Sequence, residues 1–212
     1  MRIYKTRNKV EVQELQEIVD ILENQELIIY PTETCYGLGG DATQKEAIEK
    51  VFCVKRRPRT NPLHIAVSSL EMVGNYAKVN KRVQILFEKF LPGPLTLILE
   101  SREVLPSVLS AGHKTLGIRF PDHPIPQQIV EALGRPITTT SANLSGQPPA
   151  YTAKKAITQL GDSIAAIIDV GQLSYCPPST VFDLTFIPPR LLRKGPISEK
   201  DLMGALSETL DA

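Results

Sequence analysis

The chain has 212 residues, 42% of them hydrophobic, with 24 basic and 23 acidic side chains for a net charge of +1. Length and apolar content suit one domain over residues 1–212 with a sizeable core, and near neutrality excludes a global field aimed at nucleic acid or a membrane surface. Three widely spaced cysteines, Cys35, Cys53 and Cys176, without a CxxC, exclude a disulfide framework or zinc site and suit a reducing cytoplasm. His64, His113 and His123 show no metal-ligand spacing. The start of the sequence lacks the apolar stretch of a signal peptide, and no run approaches the ~20 apolar residues of a membrane span. The expected protein is soluble and cytoplasmic.

In chain order, Val12, Leu15, Ile18, Val19 and Leu22 recur at helical spacing, predicting a helix over 10–24. Leu27–Tyr30 reads as a buried strand ended by Pro31. Thr43 is placed to cap a helix running to Val54, with Glu46 completing a capping box. Pro58 and Pro62 hold the next loop extended, and Leu63–Val67 is a strand. Ser69 and Asn80 cap two further helices, the second carrying Val83, Leu86, Phe87 and Phe90. After the stiff turn Pro92-Gly93-Pro94, strands are expected at Leu95–Leu99 and Thr115–Phe120. A helix over Ile125–Leu133 stops at Gly134. Pro136–Thr139 is a strand, Ala153–Leu160 a helix, and Ile164–Val170, Thr180–Leu184 and Arg190–Arg193 are strands. Ser198 caps a last helix to Leu210. Helices and strands alternate without a strict βαβ rhythm, so the expected class is α/β with α+β character: a twisted sheet of parallel and antiparallel strands with helices packed on it.

Three segments read as site rather than core: Pro31–Gly39, Lys55–Leu63 and Thr138–Gly146. The first is a hydroxyl- and glycine-rich turn, the second a cationic loop, the third a polar loop at a strand end. Such groups suit a nucleoside triphosphate and a small polar substrate, since phosphates are held by amides, hydroxyls and cations. No GxxxxGK[ST] and no GxGxxG after a strand is present, so the phosphate contacts are dispersed. Lys55 and Arg57, two apart, point the same way if the loop is extended; the alternative is that each caps the preceding helix C-terminus. Ser141, Asn143 and Ser145 alternate and share a face in an extended loop; the alternative is a turn whose polar side chains bond their own backbone. Arg119, within an apolar strand, suits capture of a carboxylate, or else an internal salt bridge to Asp122 or Glu33. Cys35 has no neighbouring base in sequence and reads as a packed small side chain.

The segments PTETCYGLG, KRRPRTNPL, LPGPLTLIL, LGIRFP, TTSANLSG and PPSTVFDLT, followed by LLRKG, occur in the order found in the YrdC-like family, the L-threonylcarbamoyladenylate synthases, which this chain resembles. The resemblance implies a YrdC-like fold and a reaction of L-threonine, bicarbonate and ATP, with Mg²⁺ on the phosphates, serving threonylcarbamoyladenosine formation in tRNA. It implies a downstream tRNA-modifying transferase as partner. Carried over residue by residue, it places L-threonine against Thr32, Thr34, Arg119, Thr139 and Ser179, and ATP against Lys55, Arg57, Asn61, Thr115, Ser141, Asn143 and Arg193. No covalent enzyme intermediate is required, so the work is positioning and charge stabilisation.

Three positions depart from the family pattern. Ala66 stands where many relatives have histidine, with His64 two residues earlier on the same strand face. Cys35 replaces a common valine, and Pro149 a common polar residue. The sequence stops soon after Arg193, as in single-domain relatives. Two alternatives stay open. One is a YciO-like paralogue with weak or hydrolytic activity. The other is an RNA-binding module touching RNA directly, although stacking motifs are lacking.

Overall fold

The computed structural model describes residues 1–207, and the side chain of each except Asp162. Among the described residues ten strands form one sheet. They are β1 Arg2–Lys5, β2 Ile28–Tyr30, β3 Gly37–Gly39, β4 His64–Ala66, β5 Leu95–Glu100, β6 Thr115–Arg119, β7 Ile137–Ser141, β8 Ala166–Asp169, β9 Thr180–Asp183 and β10 Arg190–Arg193. Across the sheet the order is β1-β8-β2-β3-β7-β4-β6-β5-β9-β10. β8 runs parallel to β1 and β2, β4 to β6, and β5 to β9, while the other neighbours are antiparallel. The mixed α/β sheet expected from the sequence is the one observed.

Period-two alternation sorts the core onto two faces. Ile28, Tyr30, Ala66, Ile137, Ala166 and Ile168 share a cluster with Ile18 and Leu22 of α1 (Val12–Glu23) and Ile125, Ile129 and Val130 of α5 (Pro124–Leu133). Ile29, Leu38, Ile65 and Ile167 point the other way. They pack under α2 (Lys45–Lys55), α3 (Leu70–Tyr76), α4 (Lys81–Phe90), α6 (Ala153–Leu160) and α7 (Glu199–Ser207). Each such aliphatic side chain contributes about 1.5–3 kcal/mol by leaving water.

Local signals set most helix ends. Ser69 and Asn80 accept from the amides of Met72 and Val83, and Gly134 ends α5 in the left-handed region at φ 67°. Ser198 accepts from the Asp201 amide ahead of α7; the last expected residues of that helix, 208–210, lie outside the described residues.

Three expectations are corrected. Thr43 does not cap α2: Asp41 Oδ1 takes both its amide and its hydroxyl, so the helix begins at Lys45. The Lys55–Leu63 loop is not extended, because Arg56 is left-handed at φ 49° and the Asn61 amide turns back onto the Pro58 carbonyl. Pro31–Gly39 is not an open turn: Thr32, Thr34, Tyr36 and Leu38 are buried, and Gly37–Gly39 is strand β3. The glycines are there for room, since a Cβ on Gly39 would lie 2.8 Å from the Tyr30 ring. Strand β1 was not foreseen, because its partner β8 lies far along the chain.

Candidate functional site

Residues paired across neighbouring strands face the same side. One cross-sheet row therefore runs Ile137–Ala66–Arg119–Thr96–Val181–Arg193, and the next runs Thr139–His64–Gly117. From these rows Arg119, Thr96, Arg193, Thr139 and His64 line a cleft of about 780 Å³, counting its open mouth, within the range of small-molecule sites. Its walls come from loops at strand ends: Thr34 and Cys35 after β2, Arg57 after α2, Ser141 ending β7, Pro149 and Tyr151 before α6, and Cys176 to Ser179 before β9.

Arg119 anchors the floor. Its Nη2 donates to Glu33 Oε1 at 2.8 Å and to Thr34 Oγ1 at 2.6 Å. Of the two alternatives for its salt bridge, Glu33 is the partner found. The pair is well buried, with side chains 12% and 15% exposed, yet among the described residues Arg119 Nε and Glu33 Oε2 have no partner. Burial works against the Arg119 charge, but Glu33 outweighs it and holds its pKa above the usual arginine value.

Arg193 donates through Nε to the Ser179 carbonyl and through Nη2 to Ser179 Oγ, which also meets Thr96 Oγ1 at 2.9 Å. Gly195 permits this: a Cβ there would stand 2.3 Å from the Thr180 nitrogen. Arg57 donates to the carbonyls of Asn61 and Pro62 and reaches the cleft from the opposite wall. Arg57 and Arg193 are both held below the ordinary arginine pKa, by burial, and for Arg193 also by Arg119. Three guanidiniums thus line the cleft, and Glu33 pairs with Arg119 alone, an excess of positive charge suited to phosphates and carboxylates.

Of the residues singled out in the sequence, Thr34, Arg57, Arg119, Thr139, Ser141, Ser179 and Arg193 line this cleft. Thr32 lies beneath it, its hydroxyl taking the amides of Thr34 and Cys35. Lys55 does not point with Arg57. It is 2% exposed, and its Nζ donates to the carbonyls of Ser141 and Asn143 and to Asn143 Oδ1. Burial, then Arg57, pushes its pKa down to about 8.

Asn143 does not share a face with Ser141: its amide group donates to the carbonyls of Leu144 and Gln147, the backbone-bonding alternative. Ser145 Oγ is buried without a partner among the described residues. Asn61 is exposed on the cationic loop, and Thr115 begins β6, four residues and roughly 13 Å along the strand from Arg119. Neither lines the cleft.

Sequence reasoning passed over Thr96, Tyr151 and Cys176. Thr96 enters only through its register opposite Arg119, a non-local fact. Tyr151 and Cys176 flank proline pairs, Pro148-Pro149 and Pro177-Pro178, which is the signal available for them. Cys35 lines the cleft with its thiol pKa pushed up by burial, so it is no ready nucleophile. Among the described residues no cluster of three or more His, Cys, Asp or Glu is placed to hold a metal ion, and no helix is long and apolar enough to cross a membrane.

The sequence model of the Sua5/YciO/YrdC family, described as "Telomere recombination", matches residues 20–195. The chain belongs to this family. A Sua5/YciO/YrdC relative from Pyrococcus abyssi, named threonylcarbamoyl-AMP synthase, is 36% identical over 97% of this chain and 61% of its own length. The chain therefore spans less than two thirds of that curated relative. The crystal structure of P. abyssi Sua5 complexed with L-threonine superposes with a TM-score of 0.93 at 35% identity, over 98% of this chain and 62% of that one. The crystal structure of E. coli YciO superposes with a TM-score of 0.86 at 27% identity, over 95% of this chain and 100% of that one. The ten-stranded sheet and its cleft are thus a Sua5/YciO/YrdC architecture.

Proposed function

We propose that this chain is an L-threonylcarbamoyladenylate synthase, a nucleotidyltransferase joining L-threonine, bicarbonate and ATP with release of pyrophosphate. The observation that carries the reading is Arg119, fixed on the cleft floor by its buried ion pair with Glu33. It sits in one cleft with the anion-directed walls of Arg57 and Arg193. An amino acid presents a carboxylate for the guanidinium of Arg119. Thr34, Thr139 and Ser179 add hydroxyls at that end, and Thr32 supports Thr34 from below.

In this reading the amine and bicarbonate give an N-carboxylate, one of whose oxygens attacks the α-phosphorus of ATP. A new O–P bond forms, the α–β P–O bond breaks, and pyrophosphate leaves. Arg57 and Arg193 bear the phosphate charge with Ser141, while Lys55 and Asn143 hold the Ser141 loop in place. Asn61 and Thr115 lie outside the cleft lining. Magnesium enters with ATP, held by phosphate oxygens and water rather than by a protein cage, which suits a cleft with no acidic side chain among its described lining residues. The adenylate passes to a downstream tRNA-modifying transferase. The names of the P. abyssi relative and its L-threonine complex support the reading.

The test is pyrophosphate release from Mg-ATP, with threonine or bicarbonate omitted in turn. Release that needs both substrates is expected. ATP consumption without threonine dependence would favour the YciO-like alternative, and salt-sensitive RNA binding without turnover the RNA-binding one.

A further inference from the structure

His64 occupies the middle of the cleft floor, in register with Thr139 on β7 and Gly117 on β6. Its imidazole lies directly on the β6 backbone: a Cβ on Gly117 would sit 2.3 Å from His64 Cδ2 and 3.0 Å from Nε2. Among the described residues neither ring nitrogen has a hydrogen-bond partner, and the side chain lines the cleft. A neutral imidazole in this position keeps one nitrogen lone pair free.

The charges facing it are Arg57 from the loop after α2, Arg119 from β6 and Arg193 from β10, with Glu33 engaged by Arg119 and Thr139 neutral beside it. Burial first, then these three guanidiniums, push the His64 pKa down to about 4, so the empty cleft holds it neutral. The other groups lining the cleft do not offer a base. Burial pushes the thiols of Cys35 and Cys176 and the phenol of Tyr151 up, so all stay protonated near neutrality.

The reaction proposed above must dispose of a proton. An ammonium and bicarbonate become an N-carboxylate, one water and one proton: the N–C bond forms, a C–O bond of bicarbonate breaks, and that oxygen leaves as water. The geometry points to the free imidazole nitrogen of His64 as the acceptor of that proton. The assignment rests on the synthase reading. Triphosphate, bicarbonate and amino acid carboxylate bring negative charge to the same guanidiniums that hold His64 neutral. Filling the cleft therefore raises the basicity of the imidazole at the moment the proton appears.

The test uses the full chain with labelled imidazoles, His64 being assigned among the three histidines by its loss in His64→Gln. The His64 resonance is titrated with pH, alone and with magnesium and α,β-methylene-ATP. The expected result is an apparent pKa higher by at least about one unit with the analogue bound. Threonine-dependent pyrophosphate release by His64→Gln should fall by about 10²-fold at neutral pH. It should recover as pH rises toward the pKa of the threonine amine, with the threonine KM little changed. An unmoved His64 resonance while the analogue binds, or a wild-type pH profile in His64→Gln, would overturn the assignment and leave the synthase reading standing. Failure of wild type to release pyrophosphate on adding threonine and bicarbonate would overturn both.

Discussion

Arg119 and Glu33 share one hydrogen bond, and each keeps one buried polar atom unpaired, Nε on the arginine and Oε2 on the carboxylate. Arginine and carboxylate frequently pair through both forks, and here a single bond holds Arg119 on the cleft floor. Arg119→Lys keeps the charge and loses the fork. It should raise the threonine KM about 10-fold or more, with the ATP KM within about twofold. Arg119→Ala leaves Glu33 buried and alone and should lower stability by about 3–5 kcal/mol. Kinetics of the lysine variant beside urea denaturation of both separate binding from folding. An equal rise in both KM values would remove Arg119 from the amino acid end.

Lys55 and Arg57 are neighbours in sequence with different work. Lys55 Nζ ties the carbonyls of Ser141 and Asn143 to the end of α2, while Arg57 reaches the cleft. Lys55→Met strands those oxygens and should cost about 1–3 kcal/mol of stability as well as weakening ATP use. Arg57→Ala should cost under about 1 kcal/mol, since its carbonyl partners on the loop can turn to water, yet still raise the ATP KM. Thermal melts and ATP saturation curves measure the two effects side by side. Equal destabilisation by both substitutions would contradict the division.

How much could be read beforehand follows from how local each signal is. Asn80, Ser69 and Gly134 act within a few residues, and their helices stand where expected. Gly37-Leu38-Gly39 is too short and glycine-rich to read as a strand, because its glycines serve the Tyr30 ring across the β2–β3 pair. The same limit applies at the site. Arg119 drew attention as a cation in an apolar strand. The Thr96–Ser179 contact joins residues 83 apart and follows only from β5 lying beside β9. Lys55 was legible as a cation, but its direction was not, because left-handed Arg56 turns the chain between it and Arg57.

Gly117 is required by His64 rather than by backbone conformation. Gly117→Ala places a methyl 2.3 Å from His64 Cδ2, and a ring in a packed floor has little room to retreat. The substitution should cost about 1–3 kcal/mol in the wild-type background. In a His64→Ala background most of that cost should vanish. The coupling in a double-mutant cycle of urea denaturation free energies should therefore exceed about 1 kcal/mol. Additive effects would mean that the ring moves aside freely.

The depressed His64 pKa, about 4 against the ordinary 6.5, is also a statement about stability. Between those values the unfolded chain binds a proton at this residue and the folded chain does not. Stability therefore rises with pH across that window and is lost as pH falls through it. The full shift corresponds to an effect on the order of 2–3 kcal/mol, allowing for partial exposure to the cleft. His64→Gln should remove that share, so the loss of stability between pH 7 and pH 4.5 should be smaller in the variant. Urea denaturation of both proteins at the two pH values gives the difference. An equal acid loss in both would mean that neither burial nor the three guanidiniums hold His64 neutral.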